Sequence, residues 1–384
     1  MKHIFAVLFF AMTSISAHAA WDLNDVSYLM PLPVRIGENK LLSLDMPGKG
    51  GALLPSKFLG TLPPLSPVHT EEEIKNTLRV IAVRIDPCFP LPTPQSCQKQ
   101  MRLVWQPIEP GRRDQPQTVD AALHSFYVLT DAEFDTLLQD IGEWKNKYQV
   151  KTQGLPLQIH PAWAREKDQS AALTDFNQIV RKYAGVANLS RVTAMVVRGA
   201  GDMWAFQGFS VKNGKLELLK IPRLDRSAQA FINFAVPSDH FERGQISPEP
   251  NSPDSVNQVI RDSQRFQSGM EDILRKDLAG SLRIENPTVY NPENMDCVSC
   301  HVAQAAREWI GRNRADIGID NIWNANAYMN ARYNLKNTSP ILANTQVIRA
   351  FGYFGPDMAI SQRIINESAE VADAVNKYVG FIQK

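Results

Sequence analysis

The chain has 384 residues, 44% of them hydrophobic, with 41 lysines and arginines against 40 aspartates and glutamates. That length exceeds one ordinary compact core and predicts two soluble, globular domains. A charge balance near zero, without a basic patch, speaks against nucleic acid as a partner.

Along the chain, Lys2, the apolar run Ile4 to Met12 and the close Ala17-His18-Ala19 have the three-part layout of an export signal. Residues 1–19 are therefore expected to be removed, giving a mature start at Ala20 and a periplasmic or secreted protein. The run is too short for a bilayer interior of about 30 Å, and no membrane span is expected once the signal has gone. Residues 21–70, rich in proline and glycine ("MPLPVRIGENK", "TLPPLSP"), read as an extended arm with short strands.

Regular structure starts with "LRVIAVRI" (Leu78 to Ile85) and "MRLVWQPI" (Met101 to Ile108), two β-branched runs that predict adjacent antiparallel strands. Between them Cys88 and Cys97 sit in a proline-rich loop, and in an exported chain the pair predicts a local disulfide. Thr130-Asp-Ala-Glu133 is a capping box, followed by Phe134, Leu137, Leu138, Ile141 and Trp144 at helical spacing. A second amphipathic helix is expected over about Asp168 to Ala184, stopped by Gly185. Three strand-like runs from Arg191 to Ile221 form a meander, broken at Gly199-Ala-Gly-Asp202 and at Asn213-Gly214, which suits a type I′ hairpin. The glycine turns "GKGG" and "GAGD" lack the context of a nucleotide-binding loop and read as ordinary turns.

At Gly244 to Asp254 three prolines with serine and asparagine mark a linker. The predicted organisation is an α+β domain over 20–245, an antiparallel sheet with helices, followed by a mainly helical domain over 246–384. Ser252-Pro253 reads as a helix start, Val302 to Arg314 as a helix, and Ile360 to about Ile382 as a last helix with a stripe at Ile364, Ser368, Val371, Val375 and Val379.

Within that second domain stands Asp296-Cys-Val-Ser-Cys-His301. Three chemistries use such a cluster: covalent haem attachment, zinc coordination, and a dithiol or plain disulfide. Haem attachment needs two thiols spaced to add to the two porphyrin vinyl groups, and a neighbouring imidazole to reach the iron; Cys297, Cys300 and His301 satisfy each part. Zinc wants four protein ligands, and Cys88 and Cys97 could complete the set only by reaching across domains. A thioredoxin-like dithiol is expected where a strand enters a helix, whereas here a Pro/Asn loop, "NPTVYNPENMD", precedes the cysteines.

The "CVSCH" pentapeptide, a following helix, and a methionine downstream before a C-terminal helix together resemble the class I c-type cytochromes, over about the last hundred residues. The resemblance implies an all-α cytochrome c-like haem domain and one covalently attached haem c. In it, Cys297 and Cys300 form the thioethers, His301 is the proximal iron ligand, and Met358 takes the opposite axial position. Phe351, Tyr353 and Phe354 would supply apolar wall. Met329 is the next axial candidate; His69, His124, His160 and His240 could serve only with the first domain folded over the haem. His124 reads as a satisfied histidine on an element face. Pro287 and Pro292 depart from the family, whose members run a helix almost directly into the cysteines.

The implied function is electron transfer by an exported single-haem protein that meets a redox partner protein. The alternative is a haem enzyme, a peroxidase or oxidoreductase, or a haem-based redox or gas sensor with an open sixth iron position. One C-x-x-C-H, where di-haem peroxidases carry two, favours the carrier. The first domain offers no constellation that converts into chemistry.

Overall fold

The computed structural model describes residues 20–37, 39–89, 97–198, 202–235, 238–330 and 339–382. The export-signal segment and most of the Gly199–Asp202 turn lie outside the described residues.

Among these, an antiparallel sheet of ten strands dominates the molecule. The strands are β1 (Ser27–Leu29), β2 (Leu78–Phe89), β3 (Gln98–Pro110), β4 (Pro116–Thr118), β5 (Ala122–Leu129), β6 (Leu189–Arg198), β7 (Met203–Lys212), β8 (Lys215–Leu218), β9 (Ala228–Ile232) and β10 (Gln245–Ser247). The main path runs β1-β2-β3-β5-β6-β7-β9-β10, with β4 beside β3 and β8 beside β7. The two predicted strands pair as expected, Val83 opposite Leu103, and Cys88 and Cys97 are disulfide-bonded across the connection. Asn213 and Gly214 both take positive φ, which the tight β7–β8 hairpin requires.

Side chains alternate across the sheet, and each face has its own cover. Leu103, Trp105, Leu123, Tyr127 and Val192 enter a core with the helices α1 (Asp131–Lys147) and α2 (Ala171–Tyr183). The predicted stripe of α1 is buried, and its capping box forms: Thr130 Oγ1 accepts from Glu133 N at 3.3 Å and Glu133 Oε2 from Thr130 N at 3.1 Å. Thr130→Ala is expected to cost about 1 kcal/mol, read as a lower urea midpoint with unchanged slope; an unmoved midpoint would mean that the box contributes nothing. Gly185, just past α2, is needed for space, because a Cβ there would lie 2.3 Å from the Lys49 backbone.

On the other face Met195, Trp204, Phe206 and Phe231 pack against α3 (Glu271–Ile284) and α4 (Cys297–Asn313). The last helix, α5 (Gln362–Ile382), lies across β2 and puts Ile365, Val371 and Val375 into the first core. Residues 351–360, just ahead of it, form a hairpin of β11 (Phe351–Phe354) and β12 (Asp357–Ile360). This corrects the expected fold class. The antiparallel sheet with helices is present, but among the described residues no all-α cytochrome c-like domain follows it, since the C-terminal helices are packed on the sheet. The stripe on α5 is real; periodicity shows that a face is buried without showing what covers it.

Two other segments differ from their sequence reading. The proline-rich arm is woven into the core: Leu23, Val26, Tyr28 and Leu29 are buried and β1 is an edge strand on β2. The 244–254 stretch contributes β10 to the sheet, and Asp254 Oδ2 accepts from Arg283 Nε at 2.9 Å and from Tyr290 Oη at 2.7 Å. Helix begins at Gln258 and not at Pro253.

Candidate functional site

The cysteine cluster opens α4. Asp296 is its N-cap, with Oδ2 accepting from Ser299 N at 2.9 Å. The same oxygen accepts from Gln229 Nε2 at 2.8 Å, and Gln229 Oε1 accepts from Val298 N at 2.9 Å. One glutamine on β9 thus latches the first turn of α4 to the sheet at two points. That turn sets Cys297, Cys300 and His301 along a cavity of about 240 Å³ between the sheet face, α4 and α5. The loop before the cluster, Tyr290 to Glu293, supplies part of the wall, Pro292 included.

The imidazole of His301 is held on both sides. Its Nδ1 donates to the Ile348 carbonyl at 2.7 Å, and the ring lies 4.8 Å from that of Phe206 on β7. With Nδ1 committed as donor, Nε2 keeps its lone pair for a ligand. Burial holds His301 down at about 4, against the opposing pull of the Ile348 bond, so the ring is neutral at ordinary pH. Both cysteines are free, and burial pushes Cys297 up to about 12 and Cys300 to about 11. Reactive dithiols show the reverse shift. Cys88 and Cys97, bonded to one another, are not zinc thiolates, and no group of three or more His, Cys, Asp or Glu suited to a metal ion occurs among the described residues.

The sheet face over the cavity is read directly from register. Ala122, Met195 and Phe206 form one row across β5, β6 and β7; His124, Thr193 and Gly208 form the next. All six line the cavity. Small residues at Ala122, Thr193 and Gly208 hollow the face between His124 and Phe206. Burial, then the charge of Arg102, hold His124 well below the ordinary histidine value, and among the described residues its ring nitrogens take no hydrogen bond.

Guanidinium groups complete the wall. Arg349 Nη2 donates to Asp120 Oδ1 at 2.7 Å, while its buried Nε has no partner. Arg191 pairs with Glu293 at 2.7 Å, and Arg363 Nε donates to Glu367 Oε1 at 2.6 Å. Two thiols, a neutral oriented imidazole, apolar rings and an orphaned guanidinium donor form a set that fits haem, whose propionates are anionic.

The other sequence candidates fall elsewhere. Met358 lies on β12 opposite Tyr353, 37% exposed and outside the cavity lining, and Met329 is exposed. Phe351 lines the cavity; Tyr353 is buried in the first core with Oη donating to Met30 O at 2.6 Å, and Phe354 packs on a small separate cluster. His69 is engaged by Ser66 at 2.8 Å and Glu109 at 3.0 Å, His240 by Asp239 at 2.7 Å, and His160 packs at a tilt among the rings of Tyr28, Trp144 and Trp163. Gln229, Phe206 and Arg349 escaped the sequence reading. Ala122, His124 and Phe126 alternate along β5 and all line the cavity. No family model, curated protein or solved structure matches the chain.

Proposed function

We propose that this chain is an exported single-haem c-type protein that transfers electrons, with the haem thioether-linked to Cys297 and Cys300 and ligated by His301. The observation that carries the reading is the orientation of His301: beside two free thiols on one helical turn, its Nδ1 is fixed to Ile348 O and its Nε2 is left open on a cavity. A haem there would supply one-electron chemistry at iron. The chain's own part is to bind, orient and shield. Gln229 and Asp296 hold the attachment turn, Phe206 and Phe351 exclude water, and Arg349 offers its unpaired Nε to an anionic group. Export is part of the proposal, and the Cys88–Cys97 disulfide is consistent with an oxidising compartment. No helix among the described residues is long and apolar enough to cross a membrane.

The test is optical. Protein secreted by a host that matures c-type cytochromes is expected to show a reversible ferric–ferrous spectrum of low-spin iron, unchanged by carbon monoxide. A high-spin iron that binds carbon monoxide or peroxide would instead indicate the enzyme or sensor with an open sixth position.

A further inference from the structure

We infer that His124, on the central strand β5, is the second axial ligand of the iron bound at His301. This rests on the haem reading above and assigns the iron's other coordination position. The two imidazoles enter one cavity from different elements, His301 from α4 and His124 from the sheet. The His301 ring packs against that of Phe206, centroids 4.8 Å apart and planes tilted by 49°. From Phe206 to His124 is two strands across and one same-face step along, which at ordinary sheet spacings is about 12 Å between Cα atoms. Of the residues spanning that interval, Ala122, Thr193 and Gly208 are small and Met195 is the one long side chain, so the face is hollowed around His124.

An interior histidine normally finds a hydrogen-bond partner. His69 and His240 do, and His160 takes one bond at Nδ1 while its buried Nε2 stays unpaired; among the described residues His124 takes none and lines the cavity. A cavity-lining ring whose nitrogens take no hydrogen bond has the form of a ligand whose partner is the bound group. Met358 does not compete, because its hairpin carries it to the surface.

The experiment compares the secreted holoprotein with His124→Ala and Met358→Ala variants, each assayed for covalent haem by mass and for spin state by optical and electron paramagnetic spectra. Wild type is expected to be low-spin without the sulfur-to-iron charge-transfer band of a methionine ligand, and Met358→Ala to match it. His124→Ala should keep the covalent haem, turn high-spin, bind carbon monoxide, and return to low-spin when imidazole is added. A His124→Ala protein that keeps its haem and stays low-spin overturns the inference and leaves haem attachment standing, as does a sulfur-to-iron band in the wild type. A wild type without haem removes the underlying reading instead. Should His124→Ala fail to fold, the wild-type band and the Met358→Ala spectrum still decide between the two ligands.

Discussion

A chain carrying Cys297→Ser and Cys300→Ser is expected to leave a cytochrome-maturing host with no covalently bound pigment. The two thiols are the groups able to add to vinyl carbons at this site, and serine hydroxyls do not substitute for them. The fold should persist, because the α4 turn is held by Asp296 and Gln229 without using either sulfur. Denaturing gels stained for haem should therefore be blank for the variant while its far-ultraviolet circular dichroism matches wild type. Haem that survives denaturation in the double variant would show attachment elsewhere. Single variants should retain one thioether and show a reduced band shifted toward that of a singly linked haem.

The second large effect concerns Glu367, on α5 at the cavity edge. Its carboxylate is buried, pairs with Arg84, and accepts from Arg363 Nε at 2.6 Å. Arg84 also pairs with Asp86 at 3.0 Å. Glu367→Ala would strand buried guanidinium groups on β2 and α5, and removing one partner of such a set costs about 3–5 kcal/mol. The arginines Arg363, Arg84 and Arg102 together hold the Glu367 carboxyl well below the usual carboxylate range, outweighing the opposing effect of burial. A carboxyl depressed in the folded state gives stability that is complete above its unfolded value of about 4.3 and is lost as pH falls below it. Urea titrations from pH 7 down to 3 should thus show wild type losing stability across the acid limb and Glu367→Gln, weaker throughout, losing less. Parallel profiles would contradict the assignment.

What the sequence disclosed and withheld has a common physical cause. Local signals were legible: the Thr130 box, the Asn213-Gly214 hairpin, the Leu78 and Met101 strand pair, the Cys88–Cys97 bridge and the cysteine turn all join segments that are near or consecutive in the chain. Which surface covers which was not. The apolar stripe of α5 fits a helical bundle or a sheet equally well, and the sheet is where it lies. The same limit hid the site's second wall. His124 and Phe206 are separated by 82 positions in the chain and meet His301 only because the β5–β6–β7 register brings them over α4. Gln229, 67 residues before Asp296, is an ordinary strand residue until the fold delivers the first turn of α4 to it.

Intact-peptide mass spectrometry of the secreted protein tests the central claim most directly. Trypsin releases Ile284–Arg307 as one fragment containing both Cys297 and Cys300. That fragment is expected to carry the added mass of one haem, which chelators and reductants do not remove. A fragment with the mass of its amino acids alone, its two cysteines open to alkylation, would contradict the account.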